Sequence, residues 1–308
     1  MSGEALGLWG IPLAVLAGAV RVSTPFIFVS LGECMTERSG RINLGLEGTL
    51  VFGAMIGYAM AWQTGSPWLG VLAAALAGAV FGIVHALCCN LPRVNDIAIG
   101  IALMLLGTGL AFFFGKPYIQ PVAPDLPAIN LGFWADSPQV QAALRVNVLF
   151  IVGIVLAVGM AWMFRATRFG LVVRMVGDSA DAARALGLDP ARVRLLATAG
   201  GGALAGIGGA YLSLYYPGSW NEGISSGQGL IAVALVIFAR WQPVRCFYAA
   251  LLFGGAGALG PALQSAGIAS GYYLFYAAPF VLTLVVLVAS SSTTRALPGA
   301  PGELRITR

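Results

Sequence analysis

Long apolar runs separated by short polar breaks occupy almost the whole chain. They fall at about 8–32, 45–64, 67–90, 94–115, 144–164, 193–216, 228–239, 246–266 and 271–289. A helix rises about 1.5 Å per residue, so roughly 20 apolar residues cross about 30 Å of hydrocarbon. Most of these runs therefore predict membrane-spanning helices. The run at 228–239 is short for a span and reads as broken or tilted. The first run carries Arg21 in its middle, which predicts an interfacial piece followed by a tilted span. The expectation is an all-α, polytopic transmembrane bundle of about nine spans, forming one domain over residues 1–308.

Composition closes off the other classes. The 308 residues include 17 Lys or Arg and 12 Asp or Glu, with 58% apolar residues and 42 glycines. Mean hydropathy is +0.86. Charged residues make up 9%, against about 25% in a soluble domain, too few to cover a water-facing surface. Disorder is excluded by the same scarcity of charge. Met1 to Leu8 lack a basic stretch, so no cleaved signal peptide is expected.

Two longer polar segments remain. Residues 116–143 hold Pro117, Pro121, Pro124, Pro127 and Pro138 and read as an ordered loop on one side. Residues 165–192 are basic, with a helical pattern. If 165–192 is cytoplasmic and the runs alternate, fourteen arginines fall inside. Only Lys116 and Arg145 then fall outside. The positive-inside bias selects this orientation. It predicts an external loop at 116–143, an external N-terminus and a cytoplasmic C-terminus.

Catalytic chemistry is sparse. Neither H-E-x-x-H, C-x-x-C nor a phosphate-binding G-x-x-x-x-G-K-[ST] occurs. Cys34, Cys88, Cys89 and Cys246 lie in or beside apolar runs and read as small packing residues, and the single histidine, His85, as a helix–helix hydrogen-bonding group. No metal site is expected, no cofactor is expected on this chain, and the excess positive charge is not read as a nucleic-acid surface. Gly202 with Gly206, and Gly201, Ala205 and Gly209, are small-xxx-small patterns that let helix backbones approach closely. Gly254, Ala258 and Ala262 repeat the theme.

Two segments concentrate the remaining chemistry. Gly32 to Gly53 carries Glu33, Glu37, Arg38, Arg41 and Glu47 around Gly40, Gly45 and Gly48, and reads as a junction between the first two spans. Glu47 opens an apolar run, where a carboxylate is costly unless paired; Arg38 or Arg41 is the expected partner. An ordinary loop carboxylate near a helix N-terminus accounts for it equally well. In Arg174 to Leu196, Asp178 after Gly177 reads as an N-cap, Ser179 to Leu186 as two helical turns, and Gly187 as a stop. Asp189 and Pro190 then start the next helix. Ala182, Ala183 and Leu186 give the short helix a weakly apolar face suited to a groove on a partner protein.

At these residues the chain resembles a known family. ERSGRINLGLEG at 37–48 is similar to the ERxGxxNLGxEG signature of bacterial ABC-importer permeases for nucleosides and related simple sugars. The broader group includes ribose and branched-chain amino-acid permeases. VGDSADAARALGLDPARVR at 176–194 resembles their cytoplasmic coupling loop, and AGGGALAGIGGAYLSL at 199–214 the small-residue span after it. GQGLIAVALVIFARWQP at 227–243 and PFVLTLVVL at 279–287 resemble two later motifs, and PGAPGELR at 298–305 the C-terminal ending more loosely. VNDIAIGIALMLLG at 94–107 departs at Met104, where many relatives carry Asn. Ala239 likewise stands in place of a usual Gly.

The resemblance implies a non-catalytic permease subunit of the bacterial cytoplasmic membrane, working by alternating access. ATP and Mg would be used by separate ABC ATPase subunits docked at a coupling loop, about 165–192, through Gly177, Asp178, Ala182, Ala183, Leu186 and Gly187. The signature residues Glu37, Arg38, Gly40, Asn43, Gly45, Glu47 and Gly48 would form the first junction. An extracytoplasmic solute-binding protein and a second permease subunit, a related paralogue or a second copy, complete the expected machine. Asn95, Met104 and Gln228 are candidate pathway residues, with a capping or interfacial role equally open to Asn95 and Gln228, which lie near span ends. Another small solute, such as a sugar or a branched-chain amino acid, is the alternative cargo. A secondary transporter or channel and an intramembrane enzyme are the alternative classes.

Overall fold

The computed structural model describes residues 10–134, 138–265, 275, 277–290 and 299–306. The chain is mostly helical. Helix α1 covers Gly10–Arg38, α2 Leu46–Thr64, α3 Pro67–Cys89 and α4 Asp96–Gly115. After a short 3-10 turn, β1 (Ala128–Asn130) pairs antiparallel with β2 (Arg145–Asn147), and α5 (Pro138–Ala143) lies between them. Then follow α6 (Val148–Ala166), α7 (Arg168–Asp178), α8 (Ala180–Ala185) and α9 (Pro190–Leu214). Helices α10 (Gln228–Phe238), α11 (Pro243–Ser265), α12 (Ala278–Ser290) and α13 (Gly302–Ile306) complete the described chain.

Six helices among the described residues are long and apolar enough to cross a membrane: α1, α3, α4, α6, α9 and α11. Large apolar side chains project outward from them, including Leu105, Phe113, Val155, Val158 and Trp162. Outward-facing apolar residues of this density suit lipid. The chain is an integral membrane protein.

Helix α9 is the hub, packed by α1, α2 and α3. Its small residues explain why. A side chain on Gly201 would run into the Gly32 carbonyl of α1, and one on Gly206 into the Ala74 carbonyl of α3. Backbone approach this close needs glycine on the contact line. The small-xxx-small reading of 201–209 therefore matches the packing. Gly254 meets Ala19 and Ser23, so α11 uses the same device against α1.

The first run differs from expectation. Rather than an interfacial piece and a separate span, α1 is one helix through Arg21 and Pro25 to Arg38. Glu33, Glu37 and Arg38, read as part of a junction, stand on its last turns. Glu37 and Arg38 bond to Trp241, and one oxygen of Glu33 accepts the Asn43 amide, as described below. The segment 116–143 is ordered around the β1–β2 pair, with residues 135–137 outside the described set. The start of the last predicted run, 271–274, and Pro298 also lie outside it.

The broken run takes a definite form. Helices α2 and α4 run parallel, with Gly45 beside Gly100 and Gly48 beside Met104. Gly229, at the start of α10, packs on Glu47 at the start of α2. The level of Met104 is eight residues, about 12 Å, into α4 at 1.5 Å per residue. Beyond α10, Trp241 bonds to Glu37 and Arg38 at the end of α1. The 11 residues of α10 span about 16 Å, half the hydrocarbon thickness. The remaining depth is crossed by irregular residues 215–227, whose Trp220 packs on Gly115 at the far end of α4.

Candidate functional site

Glu47 holds the broken span together. Its Oε1 accepts the Ser225 hydroxyl at 2.5 Å and the Gly227 amide at 3.1 Å, and its Oε2 accepts the Gly229 amide at 2.6 Å. The first amides of a helix have no intrahelical acceptor, and the N-terminal end carries partial positive charge. Gly227, with φ of 82°, offers no side-chain cap to α10, so a carboxylate from another helix closes that end. The expected partners, Arg38 and Arg41, are engaged elsewhere. Helix dipole and amide donors stabilise Glu47 instead of a cation.

The other signature residues form a second clamp. Trp241 Nε1 donates to Glu37 Oε2, and Arg38 Nε donates to the Trp241 carbonyl at 2.8 Å. The Arg38 guanidinium lies 5.1 Å from the centre of the Phe164 ring, in cation–π range. Asn43 donates its amide to Glu33 Oε1 at 2.8 Å, while its side chain accepts the Gly45 amide at 2.9 Å. Gly45 and Gly48 sit against the α4 backbone, where a Cβ on Gly48 would fall 2.5 Å from the Met104 carbonyl. Gly40 turns the chain at φ of 87°. Arg41 bonds Asp96 at 2.7 Å and the Cys89 carbonyl at 2.5 Å, tying this junction to α3 and α4. The motif thus fastens α1 to α10, and the start of α2 to α4.

The segment expected to couple, about 165–192, holds two helices, α7 and α8, before α9. Ser179, not Asp178, caps α8: its hydroxyl accepts the Ala182 amide at 3.2 Å. Asp178 is the last, exposed residue of α7. The amphipathic continuity of 168–178 outweighs the capping preference of one aspartate. Gly177 is a close-approach residue, since a side chain there would strike the Arg38 carbonyl. Gly187 does end α8, at φ of 77°, and Asp189 Oδ1 accepts the Ala191 amide at 3.0 Å to start α9. Ala182 and Leu186 are exposed, but Ala183 is fully buried and faces its own chain. The outward face of α8 is therefore Ala182 and Leu186 without Ala183.

Sequence reasoning missed the strap behind this segment. Glu303 of α13 accepts the Ala180 amide at 2.7 Å and meets Arg194 of α9 at 3.0 Å. Arg194 also donates to the Ser39 carbonyl at 3.2 Å. The PGELR motif held Glu303 in plain view, but nothing local connects it to residues more than a hundred positions earlier.

The proposed pathway residues separate. A cavity of about 330 Å³ opens at the break of the span, and Met104 lines it with Glu47, Thr108, Glu222, Ser225 and Ser226. Gln228 heads α10 next to this wall, with its Oε1 buried and without a hydrogen-bond partner among the described residues. Asn95 does not belong there: it caps α4, accepting from Ile97 and Ala98 at 2.8 and 3.2 Å. Among the described residues, no cluster of three or more His, Cys, Asp or Glu could hold a metal ion.

Comparison with known proteins decides the class. The family described as "Branched-chain amino acid transport system / permease component" matches residues 15–288. The chain belongs to this family. It is an ABC-transporter permease. A permease protein of Haloferax volcanii, whose name provisionally assigns it to glucose, is 35% identical over 83% of this chain and 79% of the relative. The nucleoside ABC transporter permease protein NupC of Lactococcus lactis is 31% identical, covering 89% and 90%. The guanosine ABC transporter permease protein NupQ of Bacillus subtilis is 30% identical, covering 89% and 91%. ABC permeases of this kind act with ATPase and solute-binding partners, and the permease itself supplies the membrane path.

Proposed function

We propose that this permease forms half of the pathway of an ATP-driven importer for nucleosides or related sugar-bearing solutes. The two-sided build of α8 carries the coupling half of the reading. Its outer side presents Ala182 and Leu186, and its inner side is bound through Glu303 to α9. A push on α8 therefore reaches the spans directly. ATPase subunits using ATP and Mg dock on the outer side, and their closure tilts the permease halves between outward and inward access. Coupling requires that α8 contact the closed and open ATPase differently. A binding protein delivers solute from outside, and a second permease, paralogue or copy, supplies the facing wall.

In this reading the six long helices are joined by α2, α10 with its irregular lead-in, and α12, making nine spans. The arginine distribution puts the N-terminus outside and the coupling segment and C-terminus in the bacterial cytoplasm. Coupling residues are Gly177, Asp178, Ala182, Leu186 and Gly187, with buried Ala183 supporting them from inside.

The relatives named for nucleoside and guanosine support the nucleoside reading. The Haloferax relative favours glucose as the second reading. The test is calorimetry of the cognate binding protein against guanosine, other nucleosides, ribose, glucose and leucine, paired with uptake in a strain lacking this permease. Nucleoside binding, with uptake lost in that strain, is the expected result. Exclusive binding of leucine would discard the nucleoside and sugar readings and leave the permease reading standing.

A further inference from the structure

The groove at the break of the span has a chemistry of its own. It opens between the start of α2, the middle of α4 and residues 222–227. Glu222 and Ser226 are exposed on this wall. They line the same groove as Met104 and Thr108, which lie well inside the length of α4. Irregular backbone at that depth is tolerated where it is buried in protein or lines a water-filled space. An exposed carboxylate there is costly against lipid and marks a path for solute or ions. Broken spans place solute sites at such points in other membrane folds by the same physics.

The lining selects. Glu47 and Glu222 contribute carboxylates, and Thr108, Ser225 and Ser226 contribute hydroxyls; among the described residues, no Lys or Arg lines the wall. Val51, Met104 and Leu105 give it an apolar side. Glu47 already accepts three hydrogen bonds and holds the wall in shape, which leaves Glu222 and the exposed Ser226 to meet a passing solute. Carboxylate acceptors suit neutral solutes that present several O–H donors, and the apolar side suits a ring face. Phosphates and carboxylates instead meet like charge in a poorly screened space.

We propose that this groove is a solute-contacting station that passes neutral, hydroxyl-rich solutes and rejects anions, with Glu222 and Ser226 as its contact groups. The inference rests on the permease reading above. Sugar hydroxyls are the chemistry shared by nucleosides and hexoses, so guanosine and glucose serve as separate uptake arms.

The experiment uses the full complex of permeases, ATPase and binding protein in nanodiscs, with both faces accessible. The S226C variant is exposed to a cationic and an anionic methanethiosulfonate. The native background is low, because Cys34, Cys89 and Cys246 are buried and Cys88 is half-buried. The expected result is modification by the cationic reagent at least about tenfold faster than by the anionic one, the low end of what a charged cleft does to an on-rate. Adding E222Q should shrink that ratio. In reconstituted vesicles, E222K should cut uptake of the transported solute by more than about tenfold while ATPase stimulation by loaded binding protein persists. Reactivity no greater than the unsubstituted chain, equal rates for the two reagents, or wild-type uptake in E222K would each overturn the proposal. If E222K fails to assemble, the labelling of S226C decides alone. Absence of binding-protein-stimulated ATPase in the unsubstituted complex would instead sink the permease reading, and the labelling would still report on the groove.

Discussion

Glu303 and Arg194, 109 positions apart, meet at 3.0 Å, and the other Glu303 oxygen holds the Ala180 amide at 2.7 Å. One side chain thus binds the first turn of α8 to the second turn of α9. Arg194 passes the connection to the Ser39 carbonyl, just past the end of α1. Replacing Glu303 with Ala leaves a largely buried guanidinium without this partner, at a cost of roughly 1–3 kcal/mol. The E303A complex should insert and hydrolyse ATP at its basal rate. Stimulation by loaded binding protein should fall several-fold, and E303Q should fall between the two. Stimulation equal to the unsubstituted complex would remove the strap from the coupling path.

The two sides of α8 should respond differently to bulk. Leu186 is 66% exposed and Ala183 is fully buried. Leu186→Arg should leave thermal stability in detergent unchanged and uncouple ATP hydrolysis from uptake. Ala183→Leu overfills a packed site and should destabilise by about 1–3 kcal/mol, seen as a lowered melting temperature. A stable A183L protein would contradict its inward placement.

Gly229 tests the clamp on the broken span. A Cβ there would lie 2.6 Å from the Glu47 Cα. Gly229→Ala must therefore push α10 away from α2 and lengthen the Glu47 bonds. The expected cost is about 1–3 kcal/mol from overpacking, with a larger loss of uptake than of membrane insertion. Glu47→Gln keeps the shape but donates where amides need an acceptor, and should also lower the melting temperature. A neutral outcome for both would show that the break is held by other contacts.

Orientation is checked by impermeant thiol labelling in intact cells. Val122 is 84% exposed in the segment expected outside. V122C should label without permeabilisation, and L186C only after it. The reverse pattern would invert the topology.

The sequence by itself determined the class of architecture. Long apolar runs with few charges leave a helical membrane protein as the stable outcome, and small residues every fourth position mark where backbones touch. These signals are local, so they survive without a structure. Asp189 before Pro190 and Gly187 at the end of α8 were legible for the same reason. Tertiary structure decided what the charges do. Arg38 or Arg41 could have paired with Glu47, yet Glu47 and Arg38 each found a partner from the far half of the chain, at Gly229 and Trp241. Asp178 had the chemistry of a cap and lost it to Ser179, because α7 continues to pack on α1. Asn95 and Met104 stand on the same apolar run, but only Met104 reaches the groove. A buried carboxylate is satisfied by whichever donor the fold carries to it. That donor is set by how helices cross, and residues separated by 180 positions leave no pattern along the chain to announce it.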